Sequence, residues 1–177
     1  MTDAARAGAA GETRWSVLSR GDRVRGRLWK PPRRGPHAVA ILCSADGCSG
    51  GPLVERARAA WTSRAALATF DLPLCGARRS DKLSASALDP SHPHSARLRA
   101  DLEAQTAADL EQVVALLRRD PDLDPARMSL IGVGLGARLA SGFAAAAHGL
   151  ASVLLAPEQS EPSDDWLRSL AARIAPS

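Results

Sequence analysis

Two almost continuous apolar runs, His37–Cys43 (His-Ala-Val-Ala-Ile-Leu-Cys) and Ala66–Leu72 (Ala-Leu-Ala-Thr-Phe-Asp-Leu), constrain this chain more than anything else in it. Runs of this kind suit strands buried on both faces, which is the habit of parallel sheets covered by helices. A helix over about 53–65 lies between them and completes a β-α-β unit. Further along, Leu98, Leu102, Leu110, Val113, Val114 and Leu117 recur mostly at helical intervals, predicting a long amphipathic helix over about 97–119. Asp124-Pro125 breaks the chain, Met128–Val133 reads as a strand, Leu135–His148 as a small-residue helix, and Ala151–Ala156 as another strand. A last helix spans Ser163–Ala175, with Asp164 and Asp165 suited to its positive N-terminus. Strands alternating with helices from residue 37 onward predict an α/β fold: a mostly parallel sheet of about six strands, helices on both faces and right-handed crossovers.

Ahead of this unit, residues 13–19 and 22–30 read as two strands joined at Arg20-Gly21, an antiparallel hairpin at the sheet edge. Residues 1–12 form a loose Ala/Gly tail, and residues 13–177 are expected to make one domain, as the length and a hydrophobic fraction of 45% suggest. Residues 73–95 are rich in Pro, Ser, Arg and His without a steady period, which predicts a long loop over the end of the sheet. No internal repeat is apparent.

Composition excludes several classes. No stretch approaches the length of a membrane span, and the first residues carry no apolar core of a secretion signal, so the expectation is a soluble, cytoplasmic protein. Cys43, Cys48 and Cys75 are odd in number and lack paired spacing, which argues against a disulfide framework or structural zinc; no metal or cofactor is expected. The net charge is +4, and residues 1–35 hold nine basic groups against three acidic ones. All but Lys30 and Lys82 of the 23 basic residues are arginine, which reads as compositional bias. Arg23, Arg25 and Arg27 alternate with Val24, Gly26 and Leu28, placing the arginines on one strand face. Without interleaved aromatics for base stacking, that face reads as a solvated edge, and nucleic acid is not an expected partner.

The tight sequence of strand, Gly132-Val-Gly134-Leu-Gly136 and helix resembles the nucleophile elbow of the α/β-hydrolases, G-x-S-x-G, with Gly134 where the serine or cysteine would stand. Upstream, Phe70-Asp-Leu-Pro-Leu-Cys-Gly-Ala-Arg-Arg-Ser80 resembles the Asp-x-Pro-x-His-Gly loop of esterases and dienelactone-hydrolase-like proteins, with Cys75 in place of the histidine. The Asp124-Pro-Ala-Arg-Met lead into the elbow strand is similar too, so that the resemblance covers roughly residues 13–158. It implies an oxyanion-binding notch made by backbone N–H groups at Leu135 and about Ala45, beside Gly134 and Gly136. Such donors do not depend on side-chain identity, so a notch for a small acyl or anionic ligand is expected to outlast the chemistry.

Three departures from that pattern predict a shortened domain without the usual triad. The nucleophile position is glycine, the family's histidine-glycine pair at the oxyanion loop is Cys43-Ser44, and the 21 residues after Ala156 include Glu158, Glu161, Asp164 and Asp165 but no histidine. A hydroxyl without its base is a poor nucleophile. The expectation is a degenerate hydrolase-fold protein that binds rather than turns over. The alternative is residual ester or lactone hydrolysis using a loop nucleophile, Cys43, Ser44, Cys48 or Cys75, with His92 or His94 as base. A dinucleotide site is a further alternative, because Gly132-Val-Gly134-Leu-Gly136-Ala137 also fits G-x-G-x-x-A with Glu158 near the end of the next strand. Finally, the strand at 151–156 is expected to lie at the sheet edge, where either the 163–175 helix covers it or a second copy pairs with it as a homodimer.

Overall fold

The computed structural model of the chain describes residues 6–7, 11–89, 91–146, 149–156 and 162–175. One sheet runs through it in the spatial order β1 (Arg6–Ala7), β2 (Glu12–Ser19), β3 (Asp22–Trp29), β5 (Ala66–Phe70), β4 (His37–Cys43), β6 (Leu123–Val133) and β7 (Ser152–Ala156). β5, β4, β6 and β7 are mutually parallel, while β1, β2 and β3 add to the β5 side as antiparallel strands. The hairpin turns at Arg20-Gly21, as the sequence predicts, pairing Ser19 with Asp22. Two residues of the expected tail, Arg6 and Ala7, pair with β2 as a short seventh strand.

Strand alternation assigns the core to two layers. Val39, Ile41 and Cys43 of β4 point to one face, together with Leu110, Val113 and Leu117 of α3 (Ser95–Leu117) and Leu139 and Ala140 of α4 (Leu135–Ala146). Ala40 and Leu42 point to the other, against Val54, Ala57 and Trp61 of α1 (Pro52–Trp61) and Leu167 and Ala171 of α5 (Asp164–Ile174). Every residue of β4 is buried, the requirement for a central parallel strand. α1 opens with Pro52, whose missing N–H costs nothing in the first turn. α5 opens under a Ser163 cap whose hydroxyl accepts from the Trp166 N–H (3.2 Å).

Two expectations need correction. The segment 73–95 is not one irregular loop: it holds a 3₁₀ turn at Gly76–Arg78 and α2 (Asp81–Leu88). The Pro73, Ser and Arg content hid a short helix whose Asp81 start suits the helix dipole. The elbow strand also begins earlier than Met128. His37 pairs with Leu123 and Val39 with Met128, so residues 124–127 are looped out between two stretches of one strand. The Asp124 carboxylate closes that loop by accepting from Ala126 N–H (2.9 Å) and Arg127 Nε (2.7 Å).

α5 settles beside α1, where the Trp61 indole Nε1 donates to the Leu167 carbonyl at 2.6 Å. β7 remains the terminal strand of the sheet, with Val153 and Leu155 more than a third exposed. No helix among the described residues is long and apolar enough to cross a membrane.

Candidate functional site

β6 ends at Val133, Gly134 takes a φ of +57°, and α4 starts at Leu135. That positive φ is a conformation that a side chain strains by about 1 kcal/mol or more and that glycine adopts freely. The Gly134 N–H donates to the Ala156 carbonyl at 3.0 Å, tying the turn to the end of β7. Gly136 lets α4 approach β4: a Cβ there would lie 2.0 Å from the Cys43 carbonyl oxygen and 2.9 Å from Ser44 N. The turn is therefore as tight as the glycine spacing predicts.

A cleft of about 310 Å³ opens at this turn, bounded by Ser44 and Ala45 after β4, Arg56 of α1, Gly134, Leu135 and Pro162. The N–H groups of Leu135 and Gly136, in the first turn of α4, have no carbonyl of their own helix to donate to, and the helix dipole makes this end electropositive. Ser44 is 2% exposed, and its buried hydroxyl has no hydrogen-bond partner among the described residues. The sequence points to Ser44, Ala45, Gly134 and Leu135, which line this cleft, and to Gly136, which packs against Cys43 and Ser44. It did not reveal Asp46, Arg56 and Pro162. The Asp46 carboxylate, also in the cleft wall, accepts from Leu53 N–H at 3.2 Å. Arg56 Nε donates to Asp164 at 2.6 Å, and its Nη2 donates to the Pro162 carbonyl, holding that proline at the cleft mouth. Only a contact across 106 residues brings Pro162 there, which no local pattern encodes.

Among the described residues, no hydrogen bond joins the other candidate nucleophiles to His92 or His94. Cys43 is fully buried within β4, and burial pushes its thiol pKa well up. Cys48 is raised in the same way by burial and then by the nearby Asp71 carboxylate, and its Sγ donates to the Arg25 carbonyl at 2.9 Å. Cys75 is raised by burial and again by Asp71. A raised pKa leaves little thiolate near neutrality.

His92 and His94 pack edge to face with ring centroids 5.8 Å apart, in the turn that leads into α3, and neither lines the cleft. His37 is buried at the opposite end of β4, its Nε2 3.0 Å from the Arg33 carbonyl. His148 and Glu158 lie outside the described residues. Among the described residues, no group of three His, Cys, Asp or Glu side chains is placed to hold a metal. Val24, Gly26 and Leu28 face the core, Arg23 and Arg25 are exposed and Arg27 is half-buried, as their alternation predicts.

The Asp-Leu-Pro-Leu-Cys-Gly segment is organised by Asp71 rather than by Cys75. The buried Asp71 carboxylate accepts from Cys48 N–H (2.8 Å) and Ala77 N–H (3.2 Å), joining the loops after β4 and β5. Arg78 then donates to the Asp71 carbonyl (3.2 Å), to Asp109 of α3 (2.5 Å) and to Asp22 of the hairpin (3.1 Å).

No protein-family model matches the chain, and no curated protein matches it in sequence. Solved structures do match in shape. A cold-adapted esterase from an Arctic intertidal metagenomic library superposes with a TM-score of 0.61 at 14% identity, over 85% of this chain and 62% of that one. A putative dienelactone hydrolase from Klebsiella pneumoniae gives 0.59 at 19% identity, over 81% and 58%. Acetyl xylan esterase 1 from Thermoanaerobacterium gives 0.59 at 17% identity, over 88% and 51%. The chain thus spans between 51% and 62% of the length of these structures. The strand order, the tight turn at Gly134 and these superpositions agree: the chain has the α/β-hydrolase fold.

Proposed function

We propose that this chain is a non-catalytic binding protein whose elbow cleft holds a small carboxylate or other anionic acyl ligand. The observation that carries this reading is the buried Ser44 hydroxyl, which has no partner among the described residues, in a cleft where Gly134 supplies no nucleophile. A buried hydroxyl without a partner costs folding free energy, and a ligand oxygen would restore the missing hydrogen bond. The N–H groups of Ala45 and Leu135 and the α4 dipole favour negative charge at the same place.

Butyrate, titrated calorimetrically, is expected to bind saturably. Ser44→Ala should weaken it about tenfold, the effect of losing one hydrogen bond to a charged group. The same variant should be as stable as the parent or slightly more so, because it removes an unsatisfied buried group. p-Nitrophenyl butyrate is expected to show no turnover above buffer. Turnover abolished by Cys75→Ala or Ser44→Ala would replace this reading with residual hydrolysis, and saturable NADH binding would replace it with a dinucleotide site.

The interaction role extends to β7. We propose that a second copy pairs along this terminal strand, because unpaired backbone groups and the exposed Val153 and Leu155 invite strand addition. Multi-angle light scattering is expected to give twice the chain mass of 18.5 kDa, and Leu155→Lys is expected to return the monomer. A parent chain that stays monomeric at high concentration would remove the homodimer.

A further inference from the structure

A second cavity lies on the outer side of the α1 and α5 pair. It measures about 400 Å³, within the range of small-molecule sites. Small side chains, among them Ala60, Ser63 and Ala172, leave room for it, and Arg56, Arg64 and Arg168 line it against a single carboxylate, Asp164. That carboxylate is already taken by Arg56 at 2.6 Å. Arg168 pairs with Asp165, but that pair is largely exposed, with side-chain accessibilities of 62% and 92%, and an exposed pair of this kind holds its partners weakly. Arg64 makes no side-chain hydrogen bond or ion pair among the described residues. Its carbonyl accepts from Arg33 Nη2 at 3.1 Å.

Guanidinium groups present parallel N–H donors that match phosphate oxygens, and they bind phosphate better when several converge on a cavity with small walls. We infer that the groove between α1 and α5 binds a small molecule carrying a phosphate or diphosphate group, with Arg64 and Arg168 as the residues that hold it. The site adjoins the elbow cleft across Arg56 and does not depend on what that cleft binds.

Pyrophosphate titrated calorimetrically into the full chain at low ionic strength is the test. One saturable site is expected. Arg64→Ala is expected to weaken it about tenfold, and Arg64→Ala with Arg168→Ala about a hundredfold. Ser44→Ala should leave the affinity unchanged. Because Arg64 has no side-chain partner to lose, its replacement should not move the melting temperature, so weaker binding reads as a lost contact rather than a lost fold. Three results would overturn the inference: no saturable heat from the parent chain, parental affinity in the double variant, or loss of binding in Ser44→Ala, which would place the anion in the elbow cleft. Equal affinity for sulfate at matched ionic strength would overturn it too, since a phosphate site distinguishes the two.

Discussion

Arg78→Ala is expected to cost about 3–5 kcal/mol of stability, read as a shift in the urea midpoint at constant slope. The Arg78 guanidinium is only 10% exposed, and its partner Asp109 is fully buried. Truncation leaves the Asp109 carboxylate inside the protein with the Gln105 amide, 2.8 Å away, as its remaining donor among the described residues. It also disconnects three parts of the chain at once: the turn after β5, the hairpin through Asp22, and α3. The cost arises from an uncompensated buried charge more than from the net attraction of the pair. Arg78→Met combined with Asp109→Leu should therefore recover most of the loss. A single variant that loses under about 1 kcal/mol would show that water or rearrangement relieves Asp109.

Gly136→Ala is the second large effect, at about 3 kcal/mol or more, because overpacking against backbone cannot be relieved by a rotamer change. The new Cβ would meet the Cys43 carbonyl oxygen at 2.0 Å and the carbonyl carbon at 2.4 Å, so α4 has to lift from β4. Gly142, in the same helix, provides the control: a Cβ there meets nothing within 4 Å, and Gly142→Ala should stabilise by about 0.5–1 kcal/mol. Opposite signs from one methyl group at two positions of one helix separate close approach from helix propensity. If both variants stabilise, the packing of α4 described above is wrong. Butyrate affinity should fall with Gly136→Ala as well, since Ser44 N is 2.9 Å from the added carbon.

The two-layer core was legible because β4 and β5 are uniform apolar runs, and α3 was legible from its leucine and valine spacing. The glycines of the elbow were informative for the same reason: glycine at a strand end marks places where a side chain cannot fit. What escaped the sequence was long-range or compositionally disguised. α2 sits in a segment whose proline and serine content resembles a loop, and the Asp124–Arg127 stretch reads as a break although the strand resumes on either side of it. Asp71 was in plain view within the quoted motif, but its role depends on Cys48 N–H, 23 residues away, and on Ala77 N–H beyond the turn. Arg56 looked like any helix-surface arginine until Asp164 and Pro162 were brought to it from the far end of the chain. Hydropathy and spacing report which face is buried, and they carry no record of which partner arrives there.

The Trp61 indole gives the C-terminal helix a property separate from the sheet. α5 hydrogen-bonds to no strand as a ladder partner; it is held by apolar packing on α1 and on Ala40 and Leu42 of β4, by an indole hydrogen bond to Leu167 and by the Arg56 bridge to Asp164. Its release would break no rung of the ladder, so it constitutes a unit whose opening free energy is set locally and lies below that of the whole domain. Pro162, at the cleft mouth, travels with it. The docking of one amphipathic helix thus places Pro162 against the cleft, and hydrogen exchange is expected to be slow in the strands and faster in α5.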